Sequence, residues 1–327
     1  MTSIRKKVKT KLSTFWSFFV FVCVTHALGD VPTFEALSVG EVSSWDDYQE
    51  PFLIVRTAQK YKLTVEAAAK QVREKLKSKQ LNVKTHFSKD GIPLENFKIE
   101  YYQLPKEISE EKQEEAIKDC NREKCLMKLK TNPEVIGLSK AKHKKEFYRQ
   151  LLYQRIRSYV GARELLGYED RKSNQPYISK MLKLIPTLNL SPISKEYLMG
   201  RFWKDLKGKG QPVDSWLRQE MVVIAPDQMQ PILRVSEDFE FGEAGNVLFF
   251  ELPIYTNHYF DSSVSLYEVV GNKKKPTESM VVFTDVMEID ELKKSGLIRT
   301  LFKGKMVKAI SQYQEQLLES ISRVKDK

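Results

Sequence analysis

The chain is poor in the residues that carry most recognisable chemistry. Its 327 residues include only three cysteines and four histidines. Three cysteines exclude a disulfide-dense scaffold. The histidines, at 26, 86, 143 and 258, fall in no zinc-ligand spacing. With 14 Gly and 13 Pro the chain is neither collagen-like nor low-complexity. It contains no H-E-x-x-H, G-x-S-x-G, G-x-x-x-x-G-K-[ST] or G-x-G-x-x-G. No reaction class announces itself, and no metal, cofactor or catalytic residue is expected. No apolar run reaches the eighteen residues that a spanning helix needs.

What the chain does have is charge and a core. It is 41% hydrophobic and 30% charged, with a net +11. That excess invites a nucleic-acid reading, but its distribution argues otherwise. Arg5, Lys6, Lys7, Lys9 and Lys11 precede an apolar run at Phe15–Val24, and small residues follow at Ala27 and Gly29. Basic, apolar and small segments in that order predict a secretory signal peptide over 1–29, cleaved after Gly29 or, equally well placed, after Ala27. The apolar run spans about 15 Å as a helix, half a bilayer core, so an uncleaved anchor is the lesser reading. Without 1–29 the chain has 49 basic and 43 acidic residues, a net +6. Export to the periplasm or the medium, with no nucleic-acid partner, is therefore expected.

The remainder, 30–327, reads as one α+β domain. A strand is predicted over 51–61, a helix from Thr64 with Val65, Ala68, Ala69, Val72 and Leu76 at helical spacing, and strands over 83–87 and 97–104. A helical insertion follows at about 106–207, including a helix starting at Ser191-Pro192. From 213 the pattern returns to strands, at 217–225, 230–235, 247–255, 263–270 and 279–287. A long helix from Leu297 to Val324 closes the chain, with Leu297, Leu301, Met306, Ile310, Tyr313, Leu317 and Ile321 on one side. An antiparallel sheet wrapped on that helix would bury every apolar stripe. The order of elements resembles the helix-grip fold of START-type lipid-binding domains, a likeness of fold and not of function. A helical domain beside a separate sandwich is the competing architecture.

Three features are candidates for function. Cys120 and Cys125 are five residues apart, and in an oxidising compartment two such lone cysteines usually pair. A disulfide there requires the helix to break near Asn121, because an unbroken one would aim the thiols apart. The run 252–266 gathers Tyr255, Asn257, His258, Tyr259 and Asp261, which could face a polar head in a pocket or pass protons. The plainer reading is a corner between strands, with Asn257 and Asp261 satisfying backbone groups. Finally, Lys293, Lys294, Arg299, Lys303, Lys305 and Lys308 occupy a stretch without an acid, suited to an anionic membrane surface.

The segments C-N-R-E-K-C at 120–125, R-F-W-K-D-L at 201–206 and Y-T-N-H-Y-F-D-S-S-V at 255–264 resemble an uncharacterised family of exported bacterial proteins. The likeness extends over about 100–310 and departs at 284–290, where T-D-V-M-E-I-D replaces an arginine-containing run. It implies export and a paired-cysteine segment, and no activity. The leading expectation is a non-catalytic protein that binds a lipid or other apolar small molecule between the sheet and the terminal helix. The alternatives are an envelope hydrolase using His258 and Asp261, and an envelope interaction protein.

Overall fold

A computed structural model describes residues 36–49, 52–84, 91–103, 149–150, 152–153, 156–157, 160, 186, 188, 190–201, 214–222, 232–243, 245–256, 260–289, 292 and 297–322. Its centre is a seven-stranded antiparallel sheet in the order β1-β2-β7-β6-β5-β4-β3. The strands are β1 (Val42–Gln49), β2 (Phe52–Tyr61), β3 (Asp214–Val222), β4 (Ile232–Glu243), β5 (Asn246–Thr256), β6 (Phe260–Gly271) and β7 (Ser279–Ile289). Helix α1 (Val65–Lys77) follows β2, α2 (Pro192–Glu196) precedes β3, and α3 (Leu297–Ser322) ends the chain. The expected α+β class, antiparallel meander and long terminal helix are all present.

Local signals explain most boundaries. The Ala67 N–H donates to Thr64 Oγ1 at 3.2 Å, so Thr64 caps α1 as its position suggested. The Ser191 hydroxyl likewise accepts from the Ser194 N–H at 3.2 Å, ahead of Pro192 at the first position of α2. Glu243 pairs with Asn246, leaving a two-residue hairpin loop that ends in Gly245 at φ +79°. At Gly271 a side chain is excluded by packing, since a Cβ would sit 2.8 Å from Val65 Cγ2.

One expected strand is absent and one strand was not expected, for different reasons. Residues 97–103 form no strand. They lie among two 3₁₀ turns, Leu94–Asn96 and Ile99–Tyr101, with Phe97 and Tyr102 buried. Their carbonyls are satisfied by a side chain instead of a ladder, because Arg149 donates to Tyr102 O at 2.9 Å and Ile99 O at 2.6 Å. Conversely β1, with the sequence V-S-S-W-D-D-Y-Q, shows no clean alternation, yet pairs with β2 over its whole length. As an edge strand it has one neighbour and tolerates polar residues on both sides.

The sheet is covered on both faces. One face carries Ile54, Phe239, Leu248, Phe250, Leu252 and Leu266 against Leu188, Leu190, Tyr197 and Leu198, with Tyr197 stacked on Phe241 at 4.0 Å. These residues around α2 belong to the helical insertion. So do Leu152 and Ile156, which are one helical turn apart and buried. The other face carries α1 and α3. There Val65, Ala69, Val72 and Leu76 meet Trp216, Phe249, Tyr267 and Phe283, while Met306 and Ile310 meet Leu53, Val55, Met287 and Ile289.

The buried side of α3 runs Met306, Ile310, Gln314, Leu318 and Ile321. Leu301 does not join it and is 61% exposed, because five residues before Met306 is well off that side. No helix among the described residues is long and apolar enough to cross a membrane.

Candidate functional site

The helix-covered face holds charge where apolar side chains are the rule. Successive strand residues alternate between faces, so Trp216, Arg218 and Glu220 of β3 share this face with Arg234, Ser236 and Asp238 of β4. The register aligns Trp216 with Asp238, Arg218 with Ser236 and Glu220 with Arg234, then Asp238 with Glu251, Glu251 with Ser265 and Ser265 with Asp285. A diagonal of polar residues, ionisable on every strand but β6, thus crosses five strands beneath α1 and α3.

The five charges nearest β3 form one cluster. Arg218 Nη1 donates to Glu220 Oε1 at 2.6 Å and Nε to Asp238 Oδ2 at 2.7 Å, and Nη2 also donates to Glu251. Arg234 donates from Nη2 to Glu220, and its Nε is 3.2 Å from Glu220 Oε1. That Nε also lies 2.9 Å from Glu251 Oε1. Its N–H is directed at Glu220, so the Glu251 contact is Coulombic and not an aligned hydrogen bond. Ser236 Oγ adds a donor to Asp238 Oδ1 at 3.3 Å. Arg218, Asp238 and Glu251 are almost wholly enclosed, at 4%, 1% and 1% side-chain exposure.

Three carboxylates against two guanidiniums cannot all ionise without cost. Burial pushes Asp238 up to about 7, more than the pull of Arg218 can offset. Burial opposes ionisation of Glu220 too, but Arg218 and Arg234 together outweigh it and hold that carboxyl at about 2. Further along the diagonal, burial pushes Asp285 up to about 6, against the Ser265 hydrogen bond and the pull of Arg234.

A half-open cleft of about 200 Å³ adjoins the cluster, where the end of α1 meets β3 and α3. Arg218 and Glu220 form its floor, and Leu76, Met221, Tyr313 and Leu317 give it an apolar side. Lys75 and Lys79 stand at its rim. Lys79 Nζ is 4.0 Å from Glu220 Oε2, and the neighbouring Lys77 Nζ sits over the Trp216 ring at 4.6 Å. Every nitrogen of Arg218 is engaged by a carboxylate, so the rim lysines are the cations this cleft can offer to a ligand.

The residues singled out in the sequence are only partly placed. Tyr255 lies in β5 opposite Val235, and its neighbour Thr256 pairs with Arg234, which pairs with Glu220. The 255–261 run therefore departs from the sheet end nearest the cleft floor. Asp261 lies in β6 where the register with β7 shifts, between Phe260 and Ser262. Asn257, His258 and Tyr259 lie outside the described residues, as do Cys120, Cys125, Lys293 and Lys294. On α3, Lys305 and Lys308 are exposed and Arg299 half-buried, whereas Lys303 pairs with Asp46 at 2.9 Å and lies 5.8 Å from the Tyr48 ring. Among the described residues no group of His, Cys, Asp and Glu could hold a metal ion.

The sequence reading missed Arg218, Glu220, Arg234, Asp238, Glu251, Asp285 and Gln314. A signal existed: W-L-R-Q-E at 216–220 and F-F-E at 249–251 place charges two and four residues from large apolar side chains, on the same face. The chain matches no protein-family model and no curated protein.

Proposed function

We propose that the protein is an exported, non-catalytic binder of a lipid or other amphiphile, built on a helix-grip scaffold similar to that of START-type domains. The scaffold reading is supported by the strand order, in which β2 joins the last strand, β7, and α3 crosses one face. Export is supported by the signal-peptide pattern of 1–29, in keeping with the exported family that the 120–125, 201–206 and 255–264 motifs resemble.

The observation that carries the reading is the cleft. Its apolar side and lysine rim suit a molecule with an apolar body and an anionic head. Its volume is below the roughly 300–1,000 Å³ of pockets for drug-sized ligands. It therefore suits a headgroup or short chain and not a whole diacyl lipid. An acyl chain does not pass between α3 and the sheet at Gln314, where helix and strands are in direct hydrogen-bonded contact. The exposed Lys305 and Lys308 on α3 are available to an anionic membrane surface from which such a ligand would come.

Native mass spectrometry of the full chain, purified without detergent, tests this. The expected result is a bound mass released on collisional activation, and its loss in Met221→Trp, which fills the cleft. A bare protein mass, together with no displaceable binding of a fluorescent fatty acid, would overturn the reading.

A further inference from the structure

Gln314 is the one fully buried polar residue of α3 among the described residues. It lies between Ile310 and Leu318, one turn away on either side, and ties the helix to two adjacent strands, β2 and β7. Its Oε1 accepts from Thr57 Oγ1 at 2.7 Å, and its Nε2 donates to Val55 O at 3.2 Å and Asp285 Oδ2 at 2.9 Å. The other Asp285 oxygen accepts from Ser265 Oγ. We propose that this contact is a proton-operated latch: a proton on Asp285 holds α3 against the sheet, and its loss loosens the helix.

The hydrogen-bond geometry serves the neutral acid well. With a proton on Oδ1, Asp285 donates to the Ser265 hydroxyl while Oδ2 still accepts from Gln314, so protonation breaks no hydrogen bond. The surroundings serve the anion badly. From β4 the nearest cation is Arg234, already shared between Glu220 and Glu251. From β5 it faces Glu251, a like charge. From β2 come only the Thr57 hydroxyl and the Val55 carbonyl, and from β6 only Ser265. On α3 the next residue, Glu315, accepts from Ser44 Oγ at 2.9 Å, and that hydroxyl is 2.9 Å from Thr57 Oγ1, so the exposed rim adds negative charge as well.

Counted across this face, Glu220, Asp238, Glu251 and Asp285 are buried, and the buried cations beside them are Arg218 and Arg234. An anion at Asp285 is relieved by water, and water reaches it if α3 lifts. Burial pushes Asp285 up to about 6, which places the change within the range of ordinary environments. Because α3 also contributes Tyr313, Gln316 and Leu317 to the cleft, the latch governs the cleft's width. The inference concerns α3 alone and stands whatever the cleft binds.

Hydrogen exchange of the ligand-free full chain at pH 5 and pH 8, corrected for intrinsic rates, tests it. In the wild type, protection over 306–318 is expected to fall at least tenfold from pH 5 to pH 8, with β6 amides changing less. Asp285→Asn, which mimics the neutral acid, should hold protection constant. Ser265→Ala, which removes a donor to the anion, should move the midpoint to higher pH, and it decides the matter should the Asn variant not fold. Constant wild-type protection, an equal fall in β6, or an unmoved midpoint in Ser265→Ala would each overturn the latch.

Discussion

Arg218 Nε meets Asp238 Oδ2 at 2.7 Å across the β3–β4 pair, and both side chains are almost completely enclosed. The same guanidinium holds Glu220 and Glu251, so a single cation compensates three buried carboxylates in concert with Arg234. Buried ion pairs contribute little over apolar packing of equal volume, but losing one partner strands the rest. Arg218→Met should therefore destabilise the protein by about 3–5 kcal/mol in urea unfolding. Combining it with Asp238→Leu should recover part of that loss, and strict additivity of the two changes would refute the cluster's coupling.

The same cluster fixes how stability responds to pH. Asp238 and Asp285 have folded values raised to about 7 and about 6 from 3.8. A raised carboxyl favours the protonated native state, so this contribution is complete below pH 3.8 and is lost as pH rises through about 6–7. Glu220, held at about 2 against an ordinary 4.5, acts oppositely: its contribution is complete above 4.5 and lost as pH falls through 2. The two trends place maximal stability on the acid side of neutrality, near about pH 4–5. The urea midpoint should fall between pH 5 and pH 8, with a slope approaching 1.4 kcal/mol per unit for each titrating group. Asp238→Asn should flatten that slope, and an unchanged slope would remove Asp238 from the account.

The order of elements was legible because the meander strands are short apolar-rich runs separated by clear turn residues. The loop through Gly245 and the Asn272 turn, whose Oδ1 accepts from the Lys274 N–H at 2.9 Å, both fall where glycine and asparagine predicted them. The Thr64 and Ser191 caps were legible for the same reason. What escaped depends on partners distant in sequence. Nothing local in I-E-Y-Y tells that Arg149 will occupy its carbonyls, and nothing local in V-S-S-W-D-D-Y-Q tells that β2 will accept it as an edge. The cluster escaped because nothing local to a charged residue in a strand tells that two helices will pack over its face, as α1 and α3 do here. His258 attracted notice as a rare residue, while the buried charges that distinguish the fold are common ones.

The cap of α1 offers a local check on the helix that walls the cleft. Thr64→Ala removes the acceptor for the Ala67 N–H and should cost about 1 kcal/mol. Thr64→Ser keeps the hydroxyl and should lose much less, so equal losses would show that the cap bond contributes nothing.

Gly271 and Val65 give the sharpest test of how α1 sits on the sheet. A Cβ at residue 271 would lie 2.8 Å from Val65 Cγ2 and 3.2 Å from the Gly245 carbonyl oxygen. Gly271 ends β6 opposite Ser279, so the strand cannot move away without breaking its pairing with β7. Gly271→Ala should therefore cost about 1–3 kcal/mol as overpacking. Val65→Ala removes the closest obstacle at the expense of a small cavity, so each change alone should destabilise. Together they should cost less than their sum by about 1 kcal/mol, since each relieves the other. A double variant as unstable as the sum would mean that the Gly245 carbonyl, not Val65, is the obstacle to a side chain at 271.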